Sequence, residues 1–123
     1  MRRSAPRRKP QSDPVTPETW EQVWRRDVAV AGGCVAKYLG APGECRNVWG
    51  DPAYDSLGNP LRSAMQADHV HDGGSAMGLR AASTPAHLVL LCAYHHETWA
   101  RGHRTEERTY LSRFYPDLYG GYR

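Results

Sequence analysis

The chain has 123 residues, of which 40% are hydrophobic and only one is Phe, so we expect one small domain with a thin core. Its mean hydropathy is −0.70, and no apolar run approaches the roughly 20 residues that cross a bilayer, which excludes a membrane-spanning class. Three cysteines cannot all pair in disulfides. They favour a metal site in a reducing setting, and we expect a cytoplasmic protein without a membrane partner.

Basic charge is concentrated at the start of the chain. Lys and Arg outnumber Asp and Glu by 16 to 13, and five of these basic residues precede the first acidic residue, Asp13. Residues 1–15 also carry three prolines and no hydrophobic pattern, which predicts a disordered basic arm. Two interpretations stay open: the arm neutralises DNA phosphates, or it is a solvated tail.

The first helix has clear start and stop signals. Thr16 is a typical N-cap, Pro17 suits the first helical position, and a Gly-Gly pair at 32–33 ends the pattern. Trp20 and Trp24 fall on one apolar face at helical spacing. That face is typical of core packing, although tryptophans also stack on bases. Residues 40–60 are rich in Gly and Pro and are predicted to be loops.

Two strands are predicted farther along the chain. Residues 61–70 end in Asp68-His69, and residues 87–92 form an apolar, β-prone run. Antiparallel pairing would bring Asp68 and His69 close to His87. We expect a helix from about His95, and a last helix that is capped by Thr105 and stops before residue 116.

The cysteines and one histidine form the first candidate site. Cys92 and His95 are separated by two residues, the gap at which a tight turn brings two ligands onto one zinc ion. Cys34 and Cys45 would supply the other two ligands from a separate segment. Structural zinc contributes about 10 kcal/mol of apparent folding free energy, which would staple so small a core. The alternative is three buried free cysteines.

The second candidate site combines one acid with three histidines. Asp68 and His69 are adjacent, a Gly-Gly turn follows at 73–74, and His87 opens the second apolar run. His96 directly follows the zinc pair and points away from it. Carboxylate and imidazole groups in this order are typical of a metal-dependent phosphodiesterase.

These motifs resemble those of a known family, the HNH endonucleases of the ββα-metal fold. That family's pattern runs Asp-His, a Gly-Gly loop, then Asn-Leu-x-x-Leu-Cys-x-x-Cys-His. Residues 68–70, 73–74 and 87–96 match it in order and spacing, and Arg26-Asp27 with residues 33–35 is similar to the family's lead-in. Two letters differ, since His87 stands where the family has Asn and His95 where it has the second Cys. The resemblance covers roughly residues 20–100 and is greatest to small HNH proteins of phages.

The resemblance implies a small α+β fold. It would contain a ββα-metal (His-Me finger) motif with a structural zinc knuckle, flanked by N- and C-terminal helices. The corresponding division is a basic arm at 1–15, a nuclease domain at 16–103, and a C-terminal helix and tail at 104–123.

The resemblance also implies an activity, one-metal hydrolysis of DNA phosphodiester bonds. Asp68 and His96 would hold one divalent cation, Mg²⁺, Mn²⁺ or another transition metal, and His69 would be the general base. His87 would either ligate the metal, hydrogen-bond a backbone carbonyl, or only fill space at a strand end. His103, two helical turns after His96, is either a further metal or phosphate ligand or a solvated side chain.

Expected partners are DNA and the packaging (terminase) proteins of a phage. The alternative function is a zinc-stapled DNA-binding module, or an accessory module of a packaging complex, with little activity of its own. The sequence leaves the oligomeric state open.

Overall fold

The first helix, α1 (Pro17–Ala31), lies where the sequence predicts it in the computed structural model, which describes residues 14–72 and 82–122. The Thr16 hydroxyl accepts a hydrogen bond from the Thr19 amide at 3.1 Å and so caps the first turn. Gly32 ends the helix with a φ of 78°, and its N–H bonds to the Val28 carbonyl at 3.0 Å. The aromatic face of α1 packs against the core, as its spacing indicates.

Some predicted features fall outside the described residues. Residues 1–13 of the basic arm and the Gly-Gly turn at 73–74 belong to this group. The division into arm, nuclease domain and C-terminal tail stays a prediction.

A short helix, α2 (Val35–Tyr38), follows Cys34 and precedes the loop-rich region. Residues 40–60, all of them described, hold isolated bridges rather than helices or strands, as predicted. Tyr54 ties this region back to the start of α2, because its hydroxyl accepts the Cys34 N–H at 2.9 Å. Gly33 makes that approach possible, since a Cβ at this position would lie 2.5 Å from the Tyr54 hydroxyl.

The sheet of the described residues is a two-stranded antiparallel ladder. It consists of β1 (Met65–His69) and β2 (Leu88–Cys92), with Asp68 opposite Val89. The side chains of β2 are all buried, whereas in β1 only Met65 and Asp68 are buried and the other three residues are half-buried. Antiparallel pairing of the two predicted strands is therefore confirmed.

Both strands are shorter than predicted. A 3₁₀ turn at Arg62–Ala64 replaces the first residues expected in β1. A second 3₁₀ turn, Pro85–His87, takes His87 out of β2, although the His87 carbonyl still accepts the Val70 N–H at 2.8 Å.

The C-terminal part is helical and packs on the sheet. Helix α3 (Ala93–Thr98) starts directly after β2, two residues earlier than predicted. Helix α4 (Arg104–Ser112) begins one residue before Thr105, so Thr105 is not its cap, and α5 (Pro116–Tyr119) follows. The predicted small α+β class is therefore confirmed, with helices that precede and follow the two strands in the sequence.

A buried carboxylate joins three of these elements. Asp27 of α1 accepts hydrogen bonds from the Tyr110 hydroxyl of α4 at 2.6 Å and from the Leu90 amide of β2 at 2.9 Å. Its neighbour Arg26 pairs with it at 2.7 Å and also donates to the carbonyls of Pro85 and Leu88. The Arg-Asp pair of the sequence motif thus holds β2 in place between two helices. Within the described ranges, no helix is long and apolar enough to cross a bilayer.

Candidate metal centre and acid–histidine cluster

The three cysteines and His95 converge on one point in the core. Cys34 lies just before α2, Cys45 lies in the loop region, and Cys92 and His95 flank the β2–α3 junction. All four residues are buried, and their ligand atoms all lie within 4.8 Å of one another. The Cys₃His set predicted from the sequence is therefore assembled in space and could hold a structural metal such as zinc.

The distances in this set suit a tetrahedral zinc ion. The Nδ1 atom of His95 lies 3.7 Å from the Cys34 Sγ, 3.6 Å from the Cys45 Sγ and 3.2 Å from the Cys92 Sγ. Ordinary Zn–S and Zn–N bond lengths put the S···N edge of a tetrahedron at about 3.6 Å. The three S···N distances of the set are thus close to those around a bound zinc ion.

Surrounding hydrogen bonds prepare the donors for a metal. The Nε2–H of His95 donates to the Pro42 carbonyl at 2.8 Å, which leaves the Nδ1 lone pair directed at the cysteines. The Cys92 sulfur accepts the backbone N–H of His95 at 3.3 Å. Both contacts depend on the tight turn from β2 into α3.

The thiols also influence one another's charge. Hydrogen bonds from Cys34 and Cys45, together with the His95 amide, hold the pKa of Cys92 far below its usual range. The pKa of Cys45 is raised by its hydrogen bond with Cys34, by a second hydrogen bond with Cys92 and by burial. One thiolate is thus favoured in the cluster, and the remaining protons are those that zinc would displace.

A second contact lies on the other side of α3. The Asp68 carboxylate of β1 meets the His96 Nε2 at 3.1 Å, and Asp68 is buried whereas His96 is partly exposed. His95 therefore faces the cysteines, whereas His96 faces Asp68. Asp68 and His96 are the two residues to which the HNH resemblance assigns a catalytic cation, and that role stays a prediction.

Asp68 has two further neighbours on α4. Arg104 donates to the second Asp68 oxygen and to the Glu107 carboxylate at 2.8 Å. Burial, followed by the nearby Asp68 carboxyl group, raises the pKa of Glu107 to about 10. Burial opposes ionisation of Asp68, but the contact with His96, the nearby Glu107 and the charge of Arg104 lower its pKa. The cluster therefore holds an ionised Asp68, a cationic Arg104 and a protonated Glu107.

His69 follows Asp68 but faces away from it, because neighbouring side chains on a strand alternate. Its Nε2 lies 2.9 Å from the Ser83 hydroxyl, which orients the ring. Burial, supported by the charges of His96 and Arg104, lowers the pKa of His69. A neutral imidazole near pH 7 is the form that a general base requires.

His87 is placed differently from the other two histidines of the second set. Its Nδ1 contacts the Thr84 hydroxyl at 3.0 Å, its Nε2 lies 3.3 Å from the Asp72 carboxylate, and its ring packs edge-on against Tyr119. His87 therefore lies at the end of the 3₁₀ turn and takes part in a polar network with Thr84 and Asp72. Its catalytic role stays a prediction.

An open cleft of about 770 Å³ adjoins the Asp68–His96 contact. Arg101 and Arg104 bring positive charge to its lining, together with His96. His103 is not part of that lining; its ring stacks on Trp99 with centroids 4.4 Å apart, and its Nδ1 bonds to the Trp99 carbonyl at 2.7 Å. His103 is therefore neither in the cleft lining nor fully solvated, and its role as a metal or phosphate ligand stays a prediction.

Neither Glu107 nor Arg104 is among the site residues predicted from the sequence. Both lie in α4, beyond the stretch that resembles the HNH pattern, and a charged pair at a spacing of three residues on a helix is usually exposed. The available signal was the position of Glu107 three residues before Tyr110, on the same apolar face.

Comparison with known proteins adds no family assignment. No protein-family model matches the chain, and neither a curated protein nor a solved structure shows significant similarity to it.

Proposed function

We propose that this chain is a metal-dependent endonuclease of the HNH type that hydrolyses DNA phosphodiester bonds. The proposal combines the motif order of the sequence with the chemistry of the acid–histidine cluster. It includes the ββα-metal arrangement, for which β1, β2 and α3 follow one another in the required order, with the 3₁₀ turn Pro85–His87 directly before β2.

One observation carries the proposal. The carboxylate of Asp68 and the imidazole of His96 come from β1 and from α3, and they meet at 3.1 Å beside an open cleft. A carboxylate and an imidazole at this separation can supply two ligands to Mg²⁺, Mn²⁺ or a softer transition ion. The remaining positions would face the cleft, where a phosphate and water can enter.

Each residue then has a distinct task. Asp68 and His96 would hold the cation, which when bound polarises the phosphate and stabilises the leaving oxygen. His69, fixed by Ser83, would accept the proton of the attacking water, since its lowered pKa keeps the ring neutral. Arg104 would pair with a phosphate oxygen when the cation takes over its place beside Asp68.

A plasmid-nicking assay with Mg²⁺, Mn²⁺, Co²⁺, Ni²⁺ and Zn²⁺ tests this function. We expect cleavage with at least one ion, and its loss in His96→Ala. His103→Ala is the matched control, because His103 lies on the same segment but stacks on Trp99. Equal activity of wild type and His96→Ala, or no cleavage with any of the ions, would contradict the proposal.

The second candidate is a zinc-stapled DNA-binding or accessory module without its own catalysis. The ion pair between Arg104 and Asp68 favours it, because the chain's own cation already neutralises the carboxylate. Such a module would bind DNA and keep its structural metal, yet cut under none of the metal conditions, or cut only with a packaging protein added.

A further inference from the structure

Two turns in the loop region share one design. The first spans Asn47 to Asp51 and the second spans Asp55 to Asn59. In each, the first side chain accepts the backbone N–H groups two and four residues ahead, at 2.8–2.9 Å. A glycine with positive φ occupies the fourth position of both turns, as the left-handed conformation requires. Both turns are therefore rigid and present their third residue outward.

That third residue is a large hydrophobic side chain in both cases. Trp49 is 78% exposed and Leu57 is 84% exposed. Val48, beside Trp49, is also 62% exposed. An indole exposed to water contributes little hydrophobic free energy to folding, and exposed tryptophans are often binding anchors.

The two turns differ in what lies next to them. Val48 of the first turn lines the cleft together with His96 and Arg104. Leu57 of the second turn is not part of the cleft lining. Trp49 itself is not part of that lining either, but it directly follows Val48, so its turn forms part of the rim of the cleft. No residue of the second turn, 55–59, lines the cleft, and Leu57 therefore serves as the counterpart outside it.

The first turn is also fixed to the helix that carries His96. The Arg46 carbonyl accepts the Tyr94 N–H of α3 at 3.1 Å, and the Arg46 guanidinium donates to the Gly50 carbonyl at 2.7 Å. The position of Trp49 relative to α3 is therefore set before any ligand binds, which reduces the entropic cost of binding.

The charge of the cleft indicates what kind of ligand would cross this rim. Arg101 and Arg104 line it beside His96, and Glu97 is its acidic member. Guanidinium groups in a cleft whose rim carries an exposed indole match the two parts of a nucleic acid, its phosphates and the faces of its bases.

We infer that Trp49 is a base-stacking residue that holds an unpaired nucleobase of the DNA strand lying in the cleft. This inference rests on the proposed function for the location of the strand. It adds a preference of the site for DNA with unstacked bases, such as single strands, frayed ends or gaps.

Binding of fluorescein-labelled single-stranded DNA tests the inference, measured by anisotropy in a His69→Ala background so that nothing is cut. We expect Trp49→Ala to weaken binding by about 5- to 150-fold, the range that loss of one base–aromatic stack produces. Leu57→Ala is the matched control and should leave affinity unchanged, with both variants melting like their parent. The same oligonucleotide with abasic sites should bind the parent and Trp49→Ala equally.

The outcomes separate this inference from the proposed function. Equal affinity of the parent and Trp49→Ala, or equal losses in Trp49→Ala and Leu57→Ala, would overturn the stacking role while leaving cleavage to be decided by the nicking assay. Failure of the parent to bind any DNA would overturn both.

Discussion

The Asp68 carboxylate of β1 contacts the His96 imidazole of α3 at 3.1 Å, where the helix packs against the strand. The preceding residue, His95, directs its Nδ1 to three cysteines on the opposite side of the same helix. Helix α3 has only six residues, so the position of His96 depends on how the Cys₃His cluster holds its first turn. A metal in that cluster would therefore stabilise both the fold and the geometry of the acid–histidine contact.

Adjacent histidines should respond differently to replacement. His95→Ala removes one of four metal donors from a buried site, and we expect the zinc content to fall and the melting temperature to drop sharply. His96→Ala should keep one zinc ion per chain and a near-normal melting temperature, since His96 is partly exposed and lies outside the cluster. Metal analysis and thermal melts measure both effects.

A conservative change at the same position provides the control for cavity formation. His95→Cys keeps a zinc donor in a Cys-x-x-Cys arrangement, so it should retain the metal that His95→Ala loses. Unchanged melting of the wild type after complete removal of zinc by a chelator would contradict the structural role of the cluster.

Asp27→Ala should destabilise the fold by about 3–5 kcal/mol, because it leaves Arg26 buried without its partner and the Leu90 amide and Tyr110 hydroxyl unbonded. Urea unfolding measures the loss. Asp117→Ala, at an exposed position in α5, should change stability by about 0.5 kcal/mol or less. Similar unfolding midpoints for the two variants would show that the Asp27 network contributes little.

Glu107 should make stability depend on pH in a defined direction. Its folded pKa of about 10 lies above the ordinary 4.5, so between these values the unfolded chain releases a proton that the folded chain keeps. The stability contributed by this group is complete below pH 4.5 and decreases as the pH rises towards 10.

The Gln side chain of Glu107→Gln cannot titrate. The melting temperature of this variant, relative to that of the wild type, should therefore rise as the pH is raised from about 5 to about 9. The melts are recorded without added divalent cation. Glu106→Gln, one residue away and exposed, should show no such trend. A constant difference between Glu107→Gln and wild type at every pH would refute the protonated state of Glu107.

The rate of cleavage should also depend on pH through His69. Burial holds the pKa of His69 below its ordinary 6.5, and a base acts only when it is neutral. We expect a plateau above pH 6.5 and a decline as the pH falls through the lowered pKa. Single-turnover rates at saturating metal measure this profile, and a decline that begins above pH 7 would exclude His69 in this environment as the titrating base.

Much of the fold follows from local patterns. Thr16 and Gly32 mark the ends of α1 by ordinary capping chemistry, and the apolar run 88–92 is a strand as its composition predicts. The Cys₃His set was identified from the short Cys92–His95 spacing and the number of cysteines. The helix ends, the strand and the Cys92–His95 pair depend on neighbours in the sequence, which is why they can be read from it. Cys34 and Cys45 are distant in sequence and were assigned to the set by residue type alone.

Features that depend on distant contacts were not predictable. The link of Arg104 and Glu107 to Asp68 joins α4 to β1, and nothing in the local spacing of α4 indicates that partner. His87 belongs to a 3₁₀ turn rather than to β2 because Thr84 and Pro85 start that turn. The matched turns at 47–51 and 55–59 became visible only when their hydrogen bonds were known.

The most direct test of the proposed function compares wild type and His69→Ala in the plasmid-nicking assay, with the metal ion that supports the fastest cleavage. Loss of a positioned general base should slow cleavage by about 10²–10⁴-fold, with zinc content, melting temperature and DNA affinity unchanged. His71→Ala, two residues farther along the chain, controls for effects of the loop and should retain most of the activity. Cleavage by His69→Ala at the wild-type rate would contradict the account.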